Sequence, residues 1–397
     1  MRLLAKLFFT SFIFALNSCT DFDEANKNIS PNYVKTSISS EEAAQLAIDM
    51  AEKMAVNTRG NDKQREVGEV YVWKTKDICK YESTTRASSK LELLPDTLLY
   101  VVNFKDSNGY VLVSADKRLG EVVGIVDKGS LKPSGEIDNP GLNLYLNELC
   151  LYYAEQLSYS YRTITRSSSY TDWEIAERKG PLTWTEWHQH APYNNNCPII
   201  NGFHALAGCV AIAIGQIMAY HHAPTTDGGY AYLWNEMGNP YEIPQTTAGE
   251  VSVAILIARI GSMVGMNYGL NSSGASPTSA INGFEEMGYH YELYPNGYSI
   301  DACWTEIDNN RPFYIRGGIG LNQGGHAWVI DGYMIEERVN INDPSDIQYR
   351  DYVRCNWGWG GSDNGFYITD PLAAPNYSYN NHVITNIYPI SYNVSHQ

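Results

Sequence analysis

Ala207-Gly208-Cys209-Val210-Ala211-Ile212-Ala213-Ile214-Gly215-Gln216-Ile217-Met218-Ala219-Tyr220-His221 is the segment around which the chain is built. Its apolar residues fall all round a helical wheel instead of along one side, which predicts a helix surrounded by protein. Cys209 sits in the first turn of that helix. A thiol there meets unpaired backbone N–H groups and the positive end of the helix dipole, and both favour thiolate over thiol. The small residues Ala211, Ala213 and Gly215 let other segments approach closely, as a central helix wedged between two halves of a domain requires. An ordinary core helix can also hold a cysteine, so the choice between chemistry and packing rests on the remainder of the chain.

With 397 residues, 44% of them hydrophobic and 12% aromatic, the chain can fill sizeable cores in two domains. A formal net charge of −16 and the absence of a Lys/Arg run argue against a nucleic-acid surface. Thirty tyrosines against ten phenylalanines suit the amphipathic surfaces of an extracytoplasmic protein. Residues 1–19 read as a signal peptide, with Arg2 and Lys6 ahead of an apolar run, Leu7 to Leu16, too short to span as a mature helix. The run ends Leu16-Asn17-Ser18-Cys19, which resembles the lipobox of bacterial lipoproteins, where the cysteine carries lipid and becomes the new N-terminus. Asn17 is a less usual residue in that motif, so plain cleavage nearby is the alternative. No other segment approaches the roughly 18 apolar residues of a membrane span. Membrane attachment is therefore expected only through lipid on Cys19, on a protein secreted or held at a bacterial cell envelope.

Seven cysteines are present, at 19, 79, 150, 197, 209, 303 and 355. Setting Cys19 aside for lipid and Cys209 for chemistry leaves an odd number among Cys79, Cys150, Cys197, Cys303 and Cys355, so these cannot all pair within the chain. A zinc site from Cys197, His204 and Cys209 matches none of the usual ligand spacings, and no metal or organic cofactor is expected.

In chain order, a polar tether from Thr20 to Thr36 leads to a helix opened by Ser39, Ser40, Glu41 and Glu42 and ended near Asn57 to Asn61. Strands are predicted over 69–73, 98–104 and 110–114, the last two joined by the hairpin signal Ser107-Asn108-Gly109. Val122 to Val126 and a helix from Leu142 to Tyr159 complete a small α+β unit without evident chemistry. Tyr159 to Thr171 is Ser/Thr-rich, carries Arg162 and Arg166, and reads as a protease-accessible linker. Beyond it come the Cys209 helix, a second apolar helix from Val251 to Met266, another near Ser279 to Met287, and strands at 313–315, 327–333, 352–356 and 365–368. This order suggests a helical subdomain packed on a β-rich one.

A thiolate nucleophile needs a partner that takes its proton and returns it to the leaving amine. His221 and His222 lie at the far end of the helix and are better placed to satisfy carbonyls. His326 starts a strand directly after the glycine-rich run 317–325, which could cover a cleft, although a structural histidine at a strand start is the plainer reading. Asn356-Trp357-Gly358-Trp359-Gly360-Gly361 follows another strand. An asparagine oxygen can accept the imidazole N–H and an indole can shield that bond, but Trp-Gly-Trp-Gly also suits a core corner. Gln189 offers an amide donor for an oxyanion beside the Cys209 N–H.

Taken together, Gln189 with Pro192-Tyr193-Asn194, Gly208-Cys209-Val210-Ala211 with Gln216-Ile217-Met218 and Tyr220-His221, Gly324-Gly325-His326-Ala327 with Val329-Ile330-Asp331-Gly332, and Asn356-Trp357-Gly358-Trp359-Gly360-Gly361 with Asp363, Gly365 and Phe366 resemble the streptopain-like cysteine peptidases. The likeness spans about residues 180 to 390 and extends, more weakly, to a propeptide around Tyr100 to Arg118. It implies an α+β, papain-like fold of two subdomains, one helical around the cysteine helix and one of antiparallel strands, behind a small α+β propeptide. The expected divisions are 1–19 signal, 20–165 propeptide and 166–397 peptidase. By the same likeness Cys209 is the nucleophile, His326 the general acid/base, Gln189 an oxyanion donor, and Asn356 with Trp357 the group that orients and shields His326. Endopeptidase action on protein or peptide substrates, with a preference for an apolar residue near the scissile bond, is implied, and the propeptide becomes an intramolecular inhibitor. Departures from the family pattern are Cys197, Cys303, Cys355 and the insertion Met334 to Arg350. Two rivals share these residues: a transamidase on the same Cys-His machinery, and a catalytically silent peptide-binding protein, against which the intact Gln, Cys, His, Asn set argues.

Overall fold

The computed structural model describes residues 36–56, 65–79, 91–160, 170–238, 242–276, 278–294, 298–320, 323–373 and 382–390. The signal peptide with Cys19, the tether, the expected helix end at 57–61 and linker residues 161–169 lie outside these. Helix α1 (Ser40–Val56) opens with a reciprocal cap, in which the Glu42 N–H donates to Ser39 Oγ at 3.2 Å and the Ser39 N–H donates to Glu42 Oε2 at 2.8 Å. Its buried Ala43, Ala47 and Met50 recur at helical spacing and join one core with the strands that follow. Those strands are β1 (Val67–Lys74), β2 (Thr97–Phe104), β3 (Tyr110–Ser114) and β4 (Val122–Val126), an antiparallel meander. Helix α2 (Pro140–Ser160) follows, tied through Cys150 to Cys79 by a disulfide.

Strand β5 (Glu174–Lys179) begins the second half. The longer helices that follow are α3 (Cys209–His221), α4 (Thr247–Met263) and α5 (Ala280–Glu286). Then come β6 (Tyr289–Tyr294), α6 (Ile300–Asp308), β7 (Phe313–Gly320), β8 (Gln323–Asn340), β9 (Asp343–Asn356), β10 (Gly365–Ile368) and, after a single helical turn at Asp370–Ala373, β11 (His382–Pro389). One sheet of 11 strands runs in the order β1-β2-β3-β4-β10-β9-β8-β7-β11-β6, with β5 added to the far half of β8. Alternation along its central strands separates two cores. Phe313, Ile315, Trp328 and Ile330 join the core that holds the meander and α2, whereas Tyr314, Ala327 and Val329 join the one that holds α3 and α4.

Two features go beyond the sequence reading. The sheet crosses between the N-terminal unit and the second half, where Val126 pairs with Gly365 and Ile125 with Phe366. The insertion is also no loop: β8 and β9 run on through it as a paired arm from Gly332/Arg354 to Asn340/Asp343, and β5 docks along that arm. Arg338 lies over the rings of Tyr170 and Trp173, and Arg350 over Trp173, which anchors the chain just before β5. Among the described residues no helix is long and apolar enough to cross a membrane.

Candidate active site

Helix α3 forms because an all-round apolar segment is satisfied only when protein surrounds it, and its residues from Cys209 to Ala219 are buried. Gly208 caps it with φ of 89°, and a side chain there would meet Met266 Sδ at 2.6 Å, so only glycine fits. Cys209 is consequently the first helical residue, in the turn whose N–H groups have no acceptor further back in the helix. Burial pushes the Cys209 thiol up. The hydrogen bond and charge of His326, the Ala327 N–H and the Arg316 guanidinium outweigh it and bring the thiol below its usual value.

His326 stands near the start of β8, opposite Gly317 of β7, and is buried. Its ring lies parallel to Trp328 at 6.3 Å and edge-on to Trp359 at 6.4 Å. Nε2 is 2.7 Å from the Trp357 carbonyl oxygen. A carbonyl only accepts, so Nε2 carries the proton and Nδ1 is the nitrogen left to deal with Cys209. This corrects the expectation for Asn356. Its Oδ1 accepts the Gly358 N–H at 3.3 Å, and its Nδ2 donates to the Thr185 carbonyl at 2.7 Å and to Thr183 Oγ1 at 3.2 Å. The asparagine shapes the corner that aims the Trp357 carbonyl, and the carbonyl, not the amide, meets the imidazole. The Trp357 indole is buried, donates to the Asp363 carbonyl at 2.9 Å and packs on Trp328.

Gln189 is brought alongside by its backbone, whose carbonyl accepts the Ala207 N–H at 3.0 Å, two residues before Cys209. Gln216, two turns along α3, accepts from Thr185 Oγ1 at 3.1 Å and the Trp187 N–H at 3.4 Å, so the segment leading to Gln189 is laid against the helix. Cys209, His326 and Trp357 are therefore brought together with the Gln189 backbone alongside, while His221 rests at the opposite end of α3 against Tyr289.

A buried ionic cluster beneath the site was missed. Arg354 Nη1 donates to both oxygens of Asp331 at 3.0 and 2.9 Å, Nη2 donates to Asp127 at 2.8 Å, and Thr183 bonds Asp331 in turn. Burial opposes the Arg354 charge, but Asp331 and Asp127 hold it on. Asp331 was visible in the Val329-Ile330-Asp331-Gly332 motif, and a carboxylate inside an apolar strand is itself a signal that a cation must lie opposite. Asp127 belongs to the N-terminal unit, a partnership no local pattern carries.

That unit also covers the site. Tyr110 Oη donates to Asp363 Oδ1 at 2.7 Å, and Asn139 Nδ2 donates to Asp363 Oδ2 at 3.1 Å and the Ser362 carbonyl at 3.3 Å. Gly141, at the start of α2, presses on the pair at the centre: a Cβ on it would lie 2.7 Å from His326 Cδ2 and 2.3 Å from Trp357 Cε3. A cavity of about 260 Å³ remains between Asn139 and the rings of His188 and Trp359.

Residues 187–367 match the Peptidase C10 family, and residues 35–151 match the family described as Spi protease inhibitor. Streptopain of Streptococcus pyogenes serotype M1 is 27% identical over 324 residues, 69% of this chain and 74% of that protein. The thiol protease/hemagglutinin PrtT of Porphyromonas gingivalis is 26% identical over 314 residues, 69% of this chain and 34% of PrtT. The fold matches a fragment of prointerpain A from Prevotella intermedia with TM-score 0.56 at 22% identity, over 81% of this chain and 98% of that fragment. These matches define a cysteine peptidase of papain-like fold with an inhibitor-type domain at its N-terminus. Over residues 187–367 the chain is similar to the streptopain-like peptidases of the Peptidase C10 family.

Proposed function

We propose that the chain is the zymogen of a secreted cysteine endopeptidase, with Cys209 as nucleophile and His326 as general acid/base. The observation that carries this reading is the Nε2–H donated to the Trp357 carbonyl at 2.7 Å, which leaves Nδ1 for the thiol at the head of α3. In the reaction Nδ1 takes the Cys209 proton as sulfur attacks the peptide carbonyl. The Cys209 N–H and the Gln189 amide hold the oxyanion, and His326 then gives its proton to the leaving amine. Water, activated by the same imidazole, hydrolyses the acyl-enzyme and restores the thiol. Protein or peptide chains are the substrates.

The proposed division is 1–19 signal, 20–165 propeptide and 166–397 peptidase, with lipid on Cys19 tethering the precursor to the envelope. Support for the first boundary within the folded part comes from the two family matches, which end at 151 and resume at 187. Because β5 is paired with β8, a cut that leaves the peptidase sheet intact falls before Glu174. Latency follows from Gly141 lying on His326 and Trp357, where substrate must come. The test is to treat purified Cys209→Ala precursor with a trace of active enzyme and sequence the new N-terminus, which is expected between Tyr159 and Glu174. Precursor that resists cutting there, or wild-type precursor as active as the cut form, overturns the zymogen reading. Metabolic labelling with an alkyne fatty acid should tag wild type and spare Cys19→Ala, and an untagged wild type removes the lipid anchor.

A further inference from the structure

We propose that His188 is a positioning residue for the oxyanion donor, its imidazole fixing the backbone of Gln189 beside Cys209. The inference rests on the peptidase reading above and assigns a task to a side chain that reading does not use. His188 Nδ1 accepts the Gln189 N–H at 2.8 Å and the His190 N–H at 3.3 Å, so one ring nitrogen closes the turn on which Gln189 stands. The ring is itself clamped, with His190 at 4.9 Å and Trp359 at 4.7 Å between centroids. Trp359 in turn meets His326 edge-on, so the ring that holds Gln189 and the ring that handles the proton share one indole.

The remaining bonds of the segment are to α3 and to two neighbouring loops. Trp187 donates to Gln216 of α3 and accepts the Gly360 N–H at 2.9 Å, and the Gln189 carbonyl takes the Ala207 N–H. Thus Trp187 is fastened both to α3 and to the turn after β9, the Gln189 carbonyl is held by Ala207, and the Gln189 N–H is held by His188. An oxyanion donor contributes only if it is aimed before the charge develops, so loosening this turn costs rate and leaves substrate affinity in place. Nδ1 accepts only while it is unprotonated. Burial, with a further push from His190, lowers the His188 pKa to about 4, so the acceptor survives at the pH where cysteine peptidase chemistry runs.

The experiment measures kcat and KM on a peptide substrate for enzyme matured from the full chain, as wild type, His188→Ala, Gln189→Ala, the double variant and His188→Asn. Asparagine puts an amide oxygen where Nδ1 stands. The expected result is a kcat about tenfold lower for His188→Ala with KM within about twofold, recovery of most of the rate by His188→Asn, and no additional loss when His188→Ala is added to Gln189→Ala. If His188→Ala does not fold, His188→Gln replaces it, since its amide oxygen falls at the Nε2 position and cannot take the Gln189 N–H. Losses that multiply in the double variant, or an effect confined to KM, overturn the proposal while leaving the oxyanion reading standing. A Gln189→Ala enzyme with wild-type kcat overturns that reading, and the His188 role with it.

Discussion

At the scale of single residues, Asn356 directs both ends of its amide away from His326, to Gly358, Thr185 and Thr183. Its removal should therefore be felt as lost structure. Asn356→Ala is expected to destabilise the protein by about 1–3 kcal/mol, as unmade buried hydrogen bonds do, and to keep kcat within about tenfold of wild type. A hundredfold fall in kcat with an unchanged melting temperature would put the amide on the imidazole after all. Gln189 has the opposite signature. Gln189→Ala should lower kcat by about 10²–10³ and leave KM and melting temperature nearly unchanged, as the loss of one oxyanion donor does. Steady-state kinetics decide it, and an effect on KM alone makes Gln189 a substrate-binding residue.

At the scale of elements, the head of α2 is the part of the N-terminal unit that touches the site. Asn139 Oδ1 accepts the Gly141 N–H at 2.9 Å and the Leu142 N–H at 3.3 Å, capping the helix while the same side chain reaches Asp363. A β-branched residue at 141 has nowhere to go, because His326 and Trp357 are packed from behind by Trp328. Gly141→Val should push α2 off the site and speed conversion of the precursor, followed as the rate of linker cutting on gels. An unchanged rate would mean that α2 does not hold the enzyme latent. Helix α3 was legible because an all-round apolar pattern of that length admits few other structures. Strand β5 was not. Glu174-Ile175-Ala176-Glu177-Arg178-Lys179 has too few apolar residues to read as a strand, and it becomes one only because the arm of β8 offers it an edge.

At the scale of the whole molecule, the two halves share one sheet through β4 and β10, and the seam beside it holds a carboxyl group. Burial raises the Asp363 pKa, hydrogen bonds from Tyr110 and Asn139 offset part of the rise, and Asp138 adds to it. A carboxyl whose pKa is higher docked than free favours docking fully below the free value of about 3.9, and that contribution is lost as pH rises through the docked value. Release of the N-terminal unit from linker-cut protein should therefore quicken with pH across the acid range, and Asp363→Asn should flatten the dependence. A release rate that falls with rising pH contradicts this. Each half could be read separately in the sequence, since periodicity and turn chemistry act over a few residues. Pairings such as Ile125 with Phe366, Asp127 with Arg354 and Gly141 with His326 join residues more than 180 positions apart, and no local pattern encodes them. The same distance explains Asn356: its motif marked the corner, but which atom of that corner meets the imidazole depends on how Thr183 and Thr185 pack beneath it.

The proposed nucleophile is Cys209. The most direct measurement treats active enzyme with a thiol-reactive epoxide and maps the adduct by mass spectrometry while casein digestion is followed in parallel. A single adduct on Cys209, formed in step with the loss of digestion, is the result expected; the buried Cys197, Cys303 and Cys355 should stay unlabelled. Digestion that continues after Cys209 is fully modified, or inactivation that tracks labelling of another cysteine, would contradict the account.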